Sequence, residues 1–135
     1  MNGAENDGTP KTKILIVEDE MPVAMMMVFL LHRAGCEVET ATNAEQAVSL
    51  VQAADFDLIT LDIDLPGGNG FEIFARLKKL PSWHNPPVIF VSGRPYEEDQ
   101  QRARELGAVD FILKPFDVSD FIFRIMSRVT EGAMA

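Results

Sequence analysis

Short apolar runs alternate with amphipathic stretches along most of this chain. Five runs have the length and composition of β-strands, at 13–17, 37–41, 57–61, 88–91 and 109–113. Each is followed by a segment that reads as a helix; the first ends near residue 34, and the others lie at 43–54, 71–80, 96–106 and 117–128, of which 96–106 reads as a charged surface helix. Strict alternation of strands and helices predicts a doubly wound α/β domain, in which one parallel sheet is covered on both faces.

Polar and glycine residues mark the ends of several predicted helices. Asn43 suits the N-cap of the second helix, and Gly107 suits the end of the fourth. The spacing in the last helix predicts four inward-facing residues, namely Val118, Phe121, Ile122 and Ile125.

The first predicted helix is apolar on all sides, although a helix that covers a sheet needs only one apolar stripe. The side expected to face the core consists of Val23, Met26, Met27, Leu30 and Leu31. Met25, Val28 and Phe29 then lie near the opposite side. A flexible surface that contains methionine suits docking to a helical partner or to a second copy in a homodimer. Cover by one of the chain's own ends is an equal alternative.

Length and composition are those of one globular domain, which we assign to residues 13–129. Residues 1–12 are expected to form a disordered leader and residues 130–135 a loose tail. The net charge of −9 argues against direct DNA binding, because nucleic-acid binders usually carry a basic patch. The longest apolar run, 21–31, is too short to span a membrane. A polar start and the single Cys36 predict a reduced, cytoplasmic protein.

Polar side chains follow four of the five predicted strands, at the edge where open parallel sheets bind ligands. They are Glu18 and Asp19 after the first strand, Asp62 and Asp64 after the third, Ser92 after the fourth and Lys114 after the fifth. Several carboxylates at one edge repel one another unless a cation lies among them, and an all-oxygen site favours Mg²⁺. The lysine and the serine are candidate phosphate ligands.

This combination resembles the receiver domains of two-component response regulators. That family carries an acidic pair after strand one, an aspartate after strand three, serine or threonine after strand four and Lys-Pro after strand five. Lys114-Pro115 completes the set here, the loop at 62–70 also matches, and the resemblance covers about residues 13–128. It implies a flavodoxin-like (βα)5 fold with strand order 2-1-3-4-5 and a cis Lys114-Pro115 bond.

The resemblance implies a signalling switch whose only chemistry is its own phosphorylation and dephosphorylation. Asp62 would be the nucleophile that accepts a phosphoryl group from a histidine kinase, a histidine phosphotransferase or a small donor such as acetyl phosphate. Mg²⁺, or Mn²⁺, would be held by Asp19, by Glu18 largely through water, by Asp62 and by the backbone carbonyl of Asp64. Lys114 and Ser92 would bind phosphate oxygens.

Switching is implied to involve Ser92 and the aromatic residue three positions before the lysine. Here that residue is Phe111, where many family members have tyrosine or histidine, so the output signal must depend on packing. A downstream protein would bind the face formed by the fourth helix, the fifth strand and the fifth helix.

A haloacid-dehalogenase-like phosphatase is the main alternative, because the segment 61–64 also resembles the nucleophile motif of that family. There the first aspartate, here Asp62, attacks phosphorus, and the second, here Asp64, is the acid or base. The nucleophile of that family follows an early strand and an acidic pair comes late, whereas here Glu18-Asp19 comes first. A third possibility is a protein-interaction module on the same fold that ignores phosphate, but such modules usually lack part of the acidic set.

Overall fold

A five-stranded parallel sheet forms the centre of the structure, a computed structural model that describes the backbone of residues 11–134 and the side chains of residues 11–129. Its strands are β1 (Lys13–Val17), β2 (Glu37–Ala41), β3 (Leu58–Leu61), β4 (Val88–Ser92) and β5 (Asp110–Leu113). They lie in the order β2-β1-β3-β4-β5, and all neighbouring pairs are parallel. The predicted doubly wound fold and its strand order are therefore confirmed.

Helices cover both faces of this sheet. They are α1 (Met21–Arg33), α2 (Ala44–Ala53), α3 (Gly70–Lys78), α4 (Glu97–Leu106) and α5 (Val118–Met134). The predicted end signals are confirmed, since Asn43 Oδ1 accepts a hydrogen bond from the Gln46 N–H at 2.9 Å and Gly107 ends α4 with a φ of 108°. Within residues 11–134, no helix combines the length and hydropathy needed to cross a bilayer.

The core has two halves, one on each face of the sheet. Alternate strand residues such as Leu15, Ile59 and Phe90 pack against α2, α3 and α4, while residues such as Ile16 and Val91 pack against α1 and α5. Because both faces are buried, the inner strands β1, β3 and β4 read as nearly continuous apolar runs, whereas the edge strand β2 carries three polar residues in five. The two layers of helices leave the carboxyl ends of the strands as the edge where polar groups collect.

The outer side of α1 agrees with prediction at two of three positions, because Met25 and Phe29 are exposed while Val28 is half-buried. The prediction for Met26 was wrong, since its side chain is 42% exposed. The buried stripe of α1 consists of Ala24, Met27 and Leu31. Met26 lies about 100° around the helix from Met27, so it cannot share that stripe.

Two features of α5 also differ from prediction. Val118 was expected in the core but is 46% exposed, because it is the first residue of the helix and no preceding turn covers it. The backbone of α5 continues to Met134, beyond the predicted end at Arg128 and into the segment expected to be a tail. Most of the expected leader, residues 1–10, lies outside the described residues, and the domain limits stay predictions.

Thr60 in β3 places a hydroxyl group in the core. Its side chain is buried, and its Oγ1 has no hydrogen-bond partner within the described residues. A buried hydroxyl without a partner destabilises the folded state, and valine has nearly the same shape. We expect Thr60→Val to raise the free energy of unfolding by about 1 kcal/mol in urea titrations. Thr42→Val is the control, because the Thr42 hydroxyl donates to Gln46 Oε1 at 3.0 Å; equal losses in both variants would contradict the prediction.

Candidate functional site

The predicted site residues meet at the carboxyl edge of the sheet. Glu18 follows β1, Asp62 follows β3, and Lys114 follows β5. The strands are parallel, so their carboxyl ends lie at the same edge of the sheet. Backbone hydrogen bonds join these ends, from the Asp62 N–H to Val17 O at 3.1 Å and from the Lys114 N–H to Ser92 O at 2.8 Å.

Lys114 is the centre of this cluster. Its ammonium group donates to Glu18 Oε1 at 2.9 Å, to Asp62 Oδ2 at 3.1 Å and to Glu20 Oε1 at 3.2 Å. The side chains of Lys114, Glu18 and Asp62 are only 11%, 2% and 5% exposed, whereas Glu20 is open to solvent. One buried cation thus neutralises part of a buried acidic pair, an arrangement that charge-assisted hydrogen bonds stabilise.

On both Glu18 and Lys114, burial opposes the effect of the oppositely charged partner on the pKa. Burial raises the pKa of Glu18, and the nearby charge of Asp62 adds to this, while the hydrogen bond from Lys114 opposes it. For Lys114, burial lowers the pKa, but the hydrogen bond to Glu18 and the charge of Asp62 outweigh burial and leave the pKa raised. Lys114 is therefore a permanent cation at physiological pH.

The carboxylates are close enough to share a cation. Oxygen atoms of Glu18, Glu20 and Asp62 lie within 4.8 Å of one another. Asp19, which was a predicted metal ligand, lies on the wall of the same cavity but outside this group of three. Sequence reasoning assigned no role to Glu20, although its place directly after Glu18-Asp19 was the available signal.

A tight loop fixes the backbone that carries Asp62. A short antiparallel hairpin pairs Asp64–Leu65 with Gly68–Asn69, and the Gly70 N–H donates to Ile63 O at 2.8 Å. A Cβ atom placed on Gly70 would lie 2.1 Å from the backbone oxygen of Asp62. Only glycine therefore allows α3 to start this close to the aspartate.

Ser92 ends β4, and Arg94 follows it in a loop beside Asp62. Ser92 is fully buried, and its Oγ accepts the Arg94 N–H at 3.2 Å. The Arg94 guanidinium pairs with Asp64 Oδ1 at 3.2 Å and with Asp99 Oδ2 at 3.0 Å. Sequence reasoning missed Arg94 and Asp99, since nothing in the sequence shows that a loop arginine reaches both neighbours.

Phe111 lies behind the site in β5. Its ring is half-buried and stacks on Phe90 with 6.3 Å between the ring centroids and 24° between the planes. The backbone oxygen of Phe111 lies 3.5 Å from Arg124 Nη1 of α5. The ring of the predicted switch residue is thus packed on the face of the sheet that α2, α3 and α4 cover, while its backbone oxygen faces Arg124 of α5.

A cavity of about 620 Å³ opens above Asp62. Its polar side holds the charged groups described above, and its other side is apolar, with Val23 and Met26 from α1 and Pro115 and Phe116 from the loop after β5. The Lys114-Pro115 bond is cis, as the sequence resemblance implied.

Comparison with known proteins agrees with this geometry. The family model of the response regulator receiver domain matches residues 14–126 of this chain. The chain is 38% identical over 125 residues to the phosphate regulon transcriptional regulatory protein PhoB of Escherichia coli K12, covering 90% of this chain and 55% of that protein. It is 32% identical over 120 residues to the transcriptional regulatory protein TcrA of Mycobacterium tuberculosis, covering 89% and 47%. The chain therefore spans about half the length of these relatives.

A solved structure has the same fold. The CheY-like response regulator receiver domain protein of Methanospirillum hungatei JF-1 superposes with a TM-score of 0.85 at 27% identity, covering 93% of this chain and 98% of that one. The phosphatase alternative is not supported, because the family model that covers the nucleophile segment and the acidic pair is that of the receiver. The chain belongs to the response regulator receiver domain family, the phosphorylation-activated switches of two-component systems.

Proposed function

We propose that Asp62 accepts the phosphoryl group that operates this switch. The observation that carries the proposal is the placement of one nearly buried carboxylate, 3.1 Å from a permanent cation, on the wall of a cavity that reaches the surface. A carboxylate in this setting is shielded from bulk water yet open to an incoming donor. Charge-assisted contacts from Lys114 also compensate negative charge that builds up on the acceptor.

The proposed reaction is a direct phosphoryl transfer. One Asp62 carboxylate oxygen attacks the phosphorus of a phosphohistidine, so that a P–O bond forms while the P–N bond breaks. The electron pair of the broken bond stays on the imidazole, which is protonated; with acetyl phosphate it stays on acetate. Water later attacks the acyl phosphate, which releases inorganic phosphate and restores the carboxylate. We propose that the domain itself catalyses both the transfer and the hydrolysis.

The donor set fits a hard divalent cation, because all the available ligands are oxygens. Glu18, Asp19, Asp62 and the backbone carbonyl of Asp64 would hold Mg²⁺ or Mn²⁺, and the proximity of Glu20 adds a further carboxylate to this set. When bound, such an ion neutralises charge on donor and acceptor. The close approach of the Glu18, Glu20 and Asp62 carboxylates supports a divalent cation at this edge.

Lys114 and Ser92 would hold the transferred group. The Lys114 ammonium already points at Asp62, so it can exchange a carboxylate for a phosphate oxygen with little movement. Ser92 is buried, so its hydroxyl must turn toward the cavity to donate. That inward turn would draw the loop after β4 with it, and Phe111 would repack against Phe90.

Three surfaces are candidate contacts for partners. The apolar side of the cavity, with Val23, Met26 and Phe116, fits a helix of the histidine kinase or phosphotransferase that brings the phosphohistidine. The output face of α4, β5 and α5 exposes Leu113 and Phe123, which fit a downstream protein. The outer side of α1 remains a candidate contact for a second copy in a homodimer.

We also propose that this chain itself makes no contact with DNA, on the basis of its net charge of −9. The comparisons do not support that expectation, since two relatives are named as transcriptional regulatory proteins. A cytoplasmic location is proposed on the basis of the buried, unpaired Cys36.

Intact mass spectrometry tests the proposed function. Treatment with acetyl phosphate and Mg²⁺ should add one phosphoryl group, and chelation of the metal should prevent the addition because acceptor and donor charges then repel. Hydrolysis of a generic phosphomonoester by the same preparation should not exceed the background. Absence of any mass addition under these conditions, or steady turnover of the phosphomonoester, would contradict the proposal.

A further inference from the structure

Arg94 joins three parts of the molecule in the resting structure. Its Nε donates to Asp99 Oδ2 at 3.0 Å in the first turn of α4, and its Nη1 donates to Asp64 Oδ1 at 3.2 Å in the hairpin after Asp62. Its Cζ lies 5.7 Å from the centroid of the Tyr96 ring, at the N-terminus of α4. A single side chain thus connects the loop after Asp62 (the acceptor loop, residues 62–70), the loop after β4 and the fourth helix.

The two ion pairs of Arg94 differ in their surroundings. The Asp64 side chain is 65% exposed, so its pair with Arg94 is screened by water. The Asp99 side chain is only 12% exposed, and it depends on Arg94 for a charged partner. The contact with Asp99 is therefore the less screened of the two, and it joins the loop after β4 to the first turn of α4.

Arg94 is also linked to the phosphoryl site on two sides. Its backbone N–H donates to Ser92 Oγ at 3.2 Å, and its partner Asp64 donates its own N–H toward Asp62 Oδ1 at 3.4 Å. Arg94 and Asp62 line the same cavity. A phosphoryl group on Asp62 would place nearly two negative charges in that cavity, where they compete with Asp99 for the guanidinium.

We propose that Arg94 and Asp99 form a latch that holds α4 in its resting position until Asp62 is phosphorylated. The inference rests on the proposed role of Asp62 as the acceptor. Once Arg94 turns toward the phosphoryl group, Asp99 becomes a nearly buried carboxylate without a cation. The first turn of α4 then moves so that Asp99 reaches water, which alters the output face at Tyr96. The charge on Asp62 is thereby converted into a movement of one helix.

Tyr96 provides the reporter, because it is the only tyrosine of the chain. Protein labelled with 3-fluorotyrosine has one protein ¹⁹F resonance, located beside the guanidinium. Beryllofluoride with Mg²⁺ serves as the phosphoryl mimic, and its bound fluorides give separate ¹⁹F signals that report adduct formation. In the parent protein the adduct should move the Tyr96 resonance, and Asp62→Asn should abolish both the adduct signals and the movement.

The latch is tested by Asp99→Asn. Its Tyr96 resonance should already be displaced toward the adduct position before the mimic is added, and the mimic should then move it by less than half the parent shift. Glu98→Gln is the matched control, since Glu98 is an exposed acid in the same turn and should behave like the parent. Arg94→Gln, at a half-exposed position, should reduce the mimic-induced shift in the same way if Asp99→Asn does not fold.

The outcomes separate the two proposals. Adduct signals together with a full parent shift in Asp99→Asn or Arg94→Gln would overturn the latch and leave Asp62 as the acceptor. An adduct in the parent with an unmoved Tyr96 resonance would do the same. Absence of adduct signals in the parent would overturn the assignment of Asp62, and the latch with it.

Discussion

Asp62→Asn should abolish phosphoryl uptake and leave the fold intact. An amide is nearly the same shape as a carboxylate, but it carries no charge and cannot act as the nucleophile. Asp62 accepts from the Lys114 ammonium with Oδ2 at 3.1 Å and from the Asp64 N–H with Oδ1 at 3.4 Å, and asparagine keeps only one of these two acceptor oxygens. That loss is offset because the remaining Glu18 carboxylate no longer faces a second charge. We therefore expect a melting temperature close to that of the parent.

Intact mass after treatment with acetyl phosphate and Mg²⁺ measures uptake, and circular dichroism measures the melting temperature. Asp64→Asn is the matched control, since its side chain is 65% exposed and it should still take up one phosphoryl group. Labelling of Asp62→Asn at the parent rate would refute the assignment of Asp62. Labelling that disappears in both variants would point to damage of the loop rather than to loss of the nucleophile.

Gly70→Ala should produce the largest loss of stability among single methyl additions in this loop. The new Cβ would lie 2.1 Å from the backbone oxygen of Asp62 and 3.1 Å from the Cα of Ile63. Both contacts are to backbone, so relief requires that α3 or the acceptor loop moves. Overpacking of this kind costs about 3 kcal/mol of unfolding free energy, at the upper end of the usual range. Because the displaced backbone carries Asp62, phosphoryl uptake should slow as well.

Urea titration of Gly70→Ala beside Gly93→Ala gives the comparison. Gly93 also lines the site, but a Cβ there would meet no atom within 4 Å, so its substitution should change stability by less than about 0.5 kcal/mol. Equal stability of the two variants would contradict the prediction, because it would show that the start of α3 can shift at little cost in free energy.

The fold was predictable because its signals are local and mutually consistent. Apolar runs of strand length, the N-cap at Asn43 and the left-handed Gly107 each follow from a few neighbouring residues. The meeting of Asp62, Glu18 and Lys114 then followed from topology alone, since parallel strands bring their carboxyl ends to one edge.

Other features depend on tertiary contacts that spacing does not encode. Met26 was placed in the core because α1 is apolar all round, but it lies beside the buried stripe and lines the cavity next to the loop after β5. Glu20 joined the cluster because Lys114 is long enough to reach three carboxylates at once. The Arg94 contact with Asp99 depends on the path of a loop, which no local pattern fixes.

The triple pairing of Lys114 has a thermodynamic consequence for the resting protein. The Lys114 ammonium bonds Glu18, Glu20 and Asp62, so it competes with any dissolved cation for these carboxylates. Because the lysine is part of the chain, its local concentration does not change when the protein is diluted. A divalent ion that takes these same oxygens would bind only the fraction of molecules in which the lysine has withdrawn, and its apparent affinity would fall below the intrinsic one by that fraction. A phosphoryl donor relieves this competition, because it offers the lysine new anionic oxygens. We therefore expect the metal and the phosphoryl donor to raise each other's affinity, and the metal alone to bind weakly.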